Sequence, residues 1–393
     1  MHNSILGRYL LAYRNKITNG LFSVVSVPAQ GSKKGAVLLS FITGPFTLAP
    51  GEYFTDPHSN YWVSAEIARL FTIRGYDVDV INWNDNHFMP RKKYAACVDL
   101  QYNLERLSPF LGPRCIKIMH LMASSPDFQN NAEQTRLLAL EKRRGILLKP
   151  RRTDPMTSNL EYADFIVGYG NKTVYGTYPA VGGKIIPIPI PAMEQYDFPK
   201  NKNFNEARKH FLWFGGGGAI LKGLDLVVET FASLPHLQLS IIGPASYEKE
   251  FEEIYAKELS LPNITRYNRP RVNKNGEIKV GDKDLIEILN QCGATIFLSA
   301  SEGGSGSVVH AMQAGLYPIV TPQSGINEEA PSIIIENPTI DKIKRTVEEF
   351  SNITPEKLGE LSKNSWAFAQ KHYTKEAFTK AYESFLDTLV KLP

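Results

Sequence analysis

Several large classes of protein are excluded by what this sequence has little of. Three cysteines occur in 393 residues, at Cys97, Cys115 and Cys292. Their odd number and wide spacing give neither a disulfide framework nor metal-ligand spacing, which favours a reducing compartment. No apolar run approaches the ~20 residues that a membrane span needs. The first residues, Met1 to Lys16, are interrupted by Arg8, Arg14 and Lys16 and have no signal-peptide core, so a soluble cytoplasmic protein is expected. Charge of one sign is scarce: 44 Lys and Arg against 40 Asp and Glu leave +4, too little to make nucleic acid the main ligand. Short-period repeats and low-complexity tracts are also missing.

What is present is a globular composition, with 43% hydrophobic and 21% charged residues. At roughly 150 residues per domain the length allows two to three domains. Strand and helix patterns alternate, and they do so twice. Ala36–Ile42 is an apolar run of strand length, followed by a helical stretch from Tyr61 to Arg74 that stops at Gly75. Asp77–Ile81, Cys115–Met119 and Asp164–Val167 read as further strands, with a helix from about Ala132 to Leu148. Ile185–Pro191 carries three prolines at alternate positions, so it reads as an extended edge or linker. The alternation restarts with strands His210–Phe214, Leu237–Ile242, Ala294–Leu298 and Tyr317–Val320, and with helices over Leu224–Leu234 and from Ser307. Thr354-Pro355 and Thr374 are helix starts, and an apolar stripe from Ala377 to Leu389 marks the last helix. The fold class expected is α/β, two Rossmann-like doubly wound domains facing across a cleft, with a helical C-terminal tail. The boundaries expected are 1–195 for the first domain, with 1–35 as an N-terminal extension, and 196–208 for a linker. Residues 209–372 would form the second domain, and 373–393 a helix packing back on the first. Ile5 to Ala12 reads as an extra packing helix.

Two constellations carry chemistry. In Trp213-Phe-Gly-Gly-Gly-Gly-Ala-Ile-Leu-Lys222-Gly223 a strand runs into four glycines and then a lysine before a helix. Glycines bring backbone amides close to an anion and the lysine adds a full charge, an arrangement suited to a diphosphate. It is neither a Walker A loop nor a dinucleotide fingerprint. The bland alternative is a flexible turn with a solvated lysine. In Leu298-Ser-Ala-Ser-Glu302-Gly-Gly-Ser-Gly-Ser307, Glu302 closes an apolar strand inside a Gly/Ser loop, where a carboxylate can accept from sugar hydroxyls. Ser305 and Ser307 offer hydroxyls at a helix N-terminus; alternatively Glu302 and Ser305 only cap the helix.

Together these pieces resemble the retaining glycosyltransferases of family 4 (the group 1 family), which have the GT-B fold. The resemblance includes Ala314-Gly315 and Pro318-Ile-Val320, and in the first half His58-Ser-Asn60, Arg74-Gly75-Tyr76-Asp77-Val78 and His120. Phe128-Gln-Asn-Asn-Ala-Glu133, Arg136 and Arg143-Arg144-Gly145 resemble a bacterial subgroup acting in surface-polysaccharide assembly. The resemblance implies a nucleotide-diphosphate sugar as co-substrate, with no further cofactor and no bound metal. The triplet Asp77-Val-Asp79 lies in a strand pattern. It implies Glu302, Lys222 and His120 as catalytic residues and Gly216, Gly217, Gly218, Lys222 and Ser307 around the donor phosphates. Glu302, Gly303, Gly304 and Ser305 would hold the donor sugar, and His58, Asn60 and Asn131 would lie on the acceptor side. The second glutamate of the family signature falls at His310, expected here as a nucleotide contact, and an arginine of many members falls at Gly216. A structural His310, with Glu328 or Glu329 on the ribose, is the competing reading.

The implied activity is transfer of a sugar to a glycan or lipid-linked acceptor in polysaccharide or cell-surface glycan synthesis. A non-catalytic nucleotide-sugar-binding protein and a nucleotide-sugar epimerase are the alternatives on the same architecture. The basic residues Lys142, Arg143, Arg144, Lys149, Arg151 and Arg152 read as a solvated face, with an anionic acceptor or peripheral contact with the inner membrane as the second reading.

Overall fold

The computed structural model describes residues 24–48, 58–243, 248–273 and 277–389. The helix expected over Ile5–Ala12 and most of the N-terminal extension lie outside them. The first sheet contains β1 (Val25–Val27), β2 (Gly35–Phe41), β3 (Tyr76–Asn82), β4 (Ala96–Asp99), β5 (Ile116–Leu121), β6 (Phe165–Gly168) and β7 (Ile186–Pro187). Their order is β1-β3-β2-β4-β5-β6-β7, parallel throughout except for β1, which pairs antiparallel with β3. Residues 24–35 are thus not wholly an extension, because they supply an edge strand. The central strands are apolar on both faces, as a sheet covered by helices requires. Val37, Leu38, Leu39 and Phe41 are all fully buried. Pro187 and Pro189 sit where proline costs no ladder bond, at and beyond the β7 edge.

Helices α1 (Ser59–Thr72), α2 (Leu104–Leu111) and α3 (Pro126–Arg144) accompany this sheet. The start of α3 lies six residues before the expected one. Ser125 accepts from the Phe128 amide as N-cap, with Pro126 in the first turn. It ends at Gly145, which adopts φ 70°, a left-handed stop that glycine takes without strain.

The second sheet contains β8 (His210–Phe214), β9 (Gln238–Ile242), β10 (Ile264–Tyr267), and, after a small antiparallel sheet of β11 (Arg271–Val272), β12 (Ile278–Val280) and β13 (Lys283–Asp284), the strands β14 (Ala294–Phe297), β15 (Tyr317–Val320) and β16 (Ile333–Ile334). The order β10-β9-β8-β14-β15-β16 is all parallel. That is the doubly wound order 3-2-1-4-5-6, whose ligand crevice opens at the carboxyl ends of the two strands at the reversal, here β8 and β14. Helices α4 (Leu224–Ala232), α5 (Leu285–Gln291), α6 (Gly306–Gln313), α7 (Ile340–Ser351) and α8 (Pro355–His372) belong to this half. Thr354 and Thr374 cap the last two helices through the amides of Lys357 and Ala377.

The final helix, α9 (Lys375–Thr388), crosses back to the first domain. Thr379 donates to Glu66 of α1 at 2.6 Å, and Arg74 pairs with Asp387 at 2.8 Å. The apolar stripe of α9 buries Phe378, Tyr382, Phe385, Leu386 and Leu389, so the chain end ties the two domains together.

Candidate active site

Both chemistry-bearing loops leave the crevice ends of the two strands at the switch point. The loop after β8 holds Gly215 to Gly218 and leads to Lys222; the loop after β14 holds Glu302. Although eighty positions apart, the two side chains meet: the Lys222 ammonium is ion-paired with Glu302 Oε1. Ser299 Oγ donates to the same oxygen at 3.1 Å, and the ammonium lies 5.4 Å from the centre of the Phe297 ring. The Lys222 and Glu302 side chains are only 9% and 14% exposed. Trp213 Nε1 donates to the Lys222 carbonyl at 3.4 Å. Gly223 then turns the chain at φ 71°, where a Cβ would lie 2.6 Å from the Leu298 carbonyl oxygen. Glycine is therefore required for the two loops to pack side by side.

The glycine loop already holds an anion. Gly218 N donates to Glu248 Oε1 at 2.5 Å, and Ala219 N donates to both carboxylate oxygens at 3.1 Å. Two consecutive amides converging on one carboxylate form the kind of concavity that also receives phosphate. The Gly218 amide, expected on the donor phosphates, is held by Glu248 in this structure, so a diphosphate there has to displace that carboxylate. Beside Gly216 the space is open, with no atom within 4 Å of a Cβ position.

Around these loops the two domains are closed on each other. Ser124 Oγ donates to the Glu302 carbonyl at 2.7 Å, and Arg136 Nη2 to the Leu298 carbonyl at 2.7 Å. Asn171 Nδ2 donates to the carbonyls of Pro322 and Ile326 at 2.9 and 3.0 Å. A Cβ on Gly303 would collide with the Met122 carbonyl. Arg143 pairs with the buried Asp225 and lies 3.3 Å from Glu229; Arg144 reaches Glu258 at 2.6 Å and stacks on Tyr255 at 4.4 Å. The basic end of α3 is thus partly a domain contact, while Lys142, Lys149, Arg151 and Arg152 remain exposed. Two of its arginines are consumed by acids of the second domain.

Several expected site residues have other work in the fold. His120 has none of its surface exposed, lies T-shaped to Tyr169 at 5.2 Å, and stacks against Tyr382 and Phe378 of α9 at 5.8 and 6.5 Å. It does not line the cleft, and burial pushes its pKa down to about 3. His310 is likewise buried; its Nε2 lies 2.8 Å from the Tyr196 hydroxyl, and burial pushes its pKa down to about 4. The ring expected to contact the nucleotide is here bonded to the linker tyrosine. Glu328 accepts from the Lys172 amide at 2.5 Å, so it also serves the domain contact. Ser305 donates its hydroxyl to the Ser324 carbonyl at 2.6 Å, which leaves only its acceptor capacity for a sugar. Gly304 backs onto Tyr169, with a Cβ position 3.4 Å from that side chain, while Ser307 in the first turn of α6 is half-buried. On the acceptor side, His58 is the N-cap of α1, its Nδ1 accepting from the Asn60 amide at 3.2 Å. Asn131 is exposed on α3.

Neighbours of Asn131 that the sequence reading left without a role are the organised ones. Glu133 Oε1 accepts from the amides of Arg151 and Arg152 at 2.8 and 3.4 Å. Gln129 Nε2 donates to the Arg152 carbonyl and to Asp154 at 3.2 and 2.9 Å, and Asn130 exchanges two bonds with the Asp154 backbone at 2.9 and 2.8 Å. The spacing of 129, 130 and 133 on one helical face was the available signal. Among the described residues no group of His, Cys, Asp and Glu is arranged to hold a metal ion, and no helix is long and apolar enough to cross a membrane.

Comparison with known proteins places this geometry. Residues 197–366 match the family model described as glycosyl transferases group 1. No curated protein matches the chain in sequence. Among solved structures, the chain is similar to the sucrose-phosphate synthase from Thermosynechococcus elongatus, with TM-score 0.62, 12% identity, and coverage of 92% of this chain and 100% of the other. It is similar to Anabaena HepE in complex with UDP and glucose, with TM-score 0.56, 10% identity and coverage of 90% and 99%. TarM of S. aureus, in complex with Fondaparinux, alpha-GlcNAc-glycerol and UDP, gives TM-score 0.51 and 12% identity over 74% of this chain. The match spans only 54% of that longer chain. At these identities the likeness shows the GT-B fold.

Proposed function

We propose, from the match of residues 197–366 to the group 1 glycosyl transferase model, that the chain moves a sugar from a nucleotide-diphosphate donor to a glycan or lipid-linked acceptor, with retention of the anomeric configuration. Synthesis of polysaccharide or cell-surface glycan is the setting that the sequence resemblance favours. The single observation that carries this reading is the contact between Lys222 and Glu302 at the switch point of the second sheet.

The chemical task is departure of a diphosphate from a sugar carbon that becomes oxocarbenium-like. A charge-bearing ammonium aimed at the leaving oxygens lowers that barrier, because it acts where negative charge develops and in a site shielded from water. Lys222 supplies the ammonium. Glu302, held by Ser299 and Lys222, accepts from sugar hydroxyls once the donor takes the place of part of the ion pair. No protein nucleophile is assigned: the acceptor hydroxyl attacks on the face from which the diphosphate leaves, and a phosphate oxygen takes its proton. Closure of the domains, with Ser124 on the Glu302 carbonyl and Arg136 on the Leu298 carbonyl, keeps water from competing with the acceptor.

UDP occupies the Anabaena and S. aureus structures named above, so uridine-diphosphate sugars are the first donors to try. A thermal-shift series with UDP-, GDP- and ADP-sugars tests the reading, since a ligand of the folded state raises the melting temperature with concentration. The proposal requires a concentration-dependent rise with at least one donor that is absent in Lys222→Ala. A flat response to all of them would overturn it.

A further inference from the structure

Resting on the reading of the glycine loop as the diphosphate site, we propose that Arg152, from the first domain, is a ligand of the donor diphosphate and supplies the guanidinium that the glycine loop of the second domain lacks. The loop itself runs Gly215 to Gly218 with no cationic side chain before Lys222. Its fourth glycine has φ 93°, and a Cβ there would lie 2.7 Å from Arg152 Cγ and 3.3 Å from Cδ. The arginine stem therefore lies flat on the peptide of Gly218, the residue whose amide, with that of Ala219, already binds the Glu248 carboxylate. An anion-binding turn and an exposed arginine from the opposite domain thus occupy the same few ångströms.

The placement is built and not incidental. The Arg151–Asp154 segment is fixed to α3 by the side chains of Gln129, Asn130 and Glu133 through the bonds described above. Gln129 and Glu133 are 3% and 2% exposed. Burying a carboxylate and an amide to hold four residues of irregular chain is costly unless that chain's position matters. Arg151 N and Arg152 N both point into Glu133, so the Arg152 side chain leaves the segment on the side facing the glycine loop. The water-sized gap of about 10 Å³ beside the turn is lined by Glu133, Glu248, Glu250 and Arg151 and not by Arg152, so the diphosphate is placed on the Gly218 face that the Arg152 stem covers. A diphosphate taking the place of the Glu248 carboxylate on the two amides can be met by a guanidinium at two of its oxygens at once, which an ammonium cannot do. Since the arginine belongs to the other domain, donor binding and domain closure become one event.

The test is titration calorimetry of the full chain with UDP, GDP, ADP and the corresponding nucleosides, for wild type, Arg152→Ala, Arg152→Lys and Lys222→Ala. Arg152→Ala is expected to weaken the nucleoside diphosphate that binds wild type by about tenfold or more, the size of one charge-assisted contact. Nucleoside binding should be unchanged, the salt dependence shallower, and the loss only partly restored by Arg152→Lys. A merely structural role would weaken nucleoside and nucleoside diphosphate alike, and that result overturns the proposal. Equal diphosphate affinity in Arg152→Ala and wild type, with loss in Lys222→Ala, also overturns it while leaving the glycine loop as the phosphate site. Absence of any nucleoside diphosphate binding to wild type overturns both.

Discussion

Replacing His120 by phenylalanine should make this protein more stable. The imidazole is enclosed by Phe41, Tyr169, Phe378 and Tyr382, and neither ring nitrogen has a hydrogen-bond partner among the described residues. An unsatisfied buried polar group costs about 1–3 kcal/mol. Phenylalanine keeps the planar shape and removes both nitrogens, at the expense of at most about 1–1.5 kcal/mol for a ring that is slightly too large. A net gain of up to about 2 kcal/mol in urea unfolding at pH 7.5 is expected. The pH dependence gives a second handle. Burial lowers the His120 pKa to about 3, below the ordinary histidine value near 6.5. The group is neutral in both states above pH ~6.5 and contributes no slope there. Between pH ~6.5 and 3 the unfolded chain binds a proton that the folded chain refuses, so stability falls as pH falls, by up to ~1.4 kcal/mol per unit. Urea curves followed by far-ultraviolet circular dichroism at pH 7.5, 6.0 and 5.0 should show a shallower acid loss in His120→Phe. His310, whose pKa is lowered to about 4, keeps its own slope in both proteins. A less stable variant, or an unchanged acid slope, would refute the reasoning. Loss of donor turnover in a well-folded His120→Phe would return the residue to the sugar-contact role that the family resemblance implies.

Two further substitutions probe the closed arrangement. Arg143→Ala removes the direct ion-pair partner of the buried Asp225 and leaves Arg136 as its remaining cation, so it should cost about 3 kcal/mol, the lower end for a broken buried pair; pairing it with Asp225→Leu should recover most of that loss in urea unfolding, and no recovery would show that the cost lies elsewhere. Gly303→Ala places a methyl against the Met122 carbonyl, so small-angle scattering should report a larger radius of gyration and assays a lower turnover, with nucleotide affinity retained; an unchanged radius would mean that the contact yields without separating the domains.

What could be read from the sequence was what local pattern determines. The β8 and β15 strands follow from apolar runs, and the Thr354 and Thr374 caps from residue type at a helix start. The glycine turns and the placement of Lys222 and Glu302 at strand ends followed from the same alternation. Elements with little local signal escaped, since β4 is four residues long and β10 to β13 are short and polar; α7 escaped although Pro338 and the cap Thr339 mark its start. The role of His120 was illegible because its environment is made by α9, more than 250 positions later. His310 was uncertain for the same reason, its partner Tyr196 lying in the linker. The ion pairs of Arg143 and Arg144 were illegible because their acids, Asp225, Glu229 and Glu258, come from the other domain. Side-chain chemistry was visible in the chain; which face meets which required the docking of two domains.

The most direct test of the account is release of nucleoside diphosphate from a panel of UDP-, GDP- and ADP-sugars, compared between wild type, Lys222→Ala and Glu302→Gln. Wild type should hydrolyse or transfer at least one donor. Lys222→Ala should lose both nucleoside-diphosphate affinity, by about 1.5–3 kcal/mol, and turnover, because the ammonium meets the leaving group. Glu302→Gln should keep most of that affinity and lose turnover, since a contact to the sugar strengthens as the transition state forms. Equal loss of affinity in both variants, or unimpaired turnover in either, would contradict the assignment of the Lys222–Glu302 pair as the centre of sugar transfer.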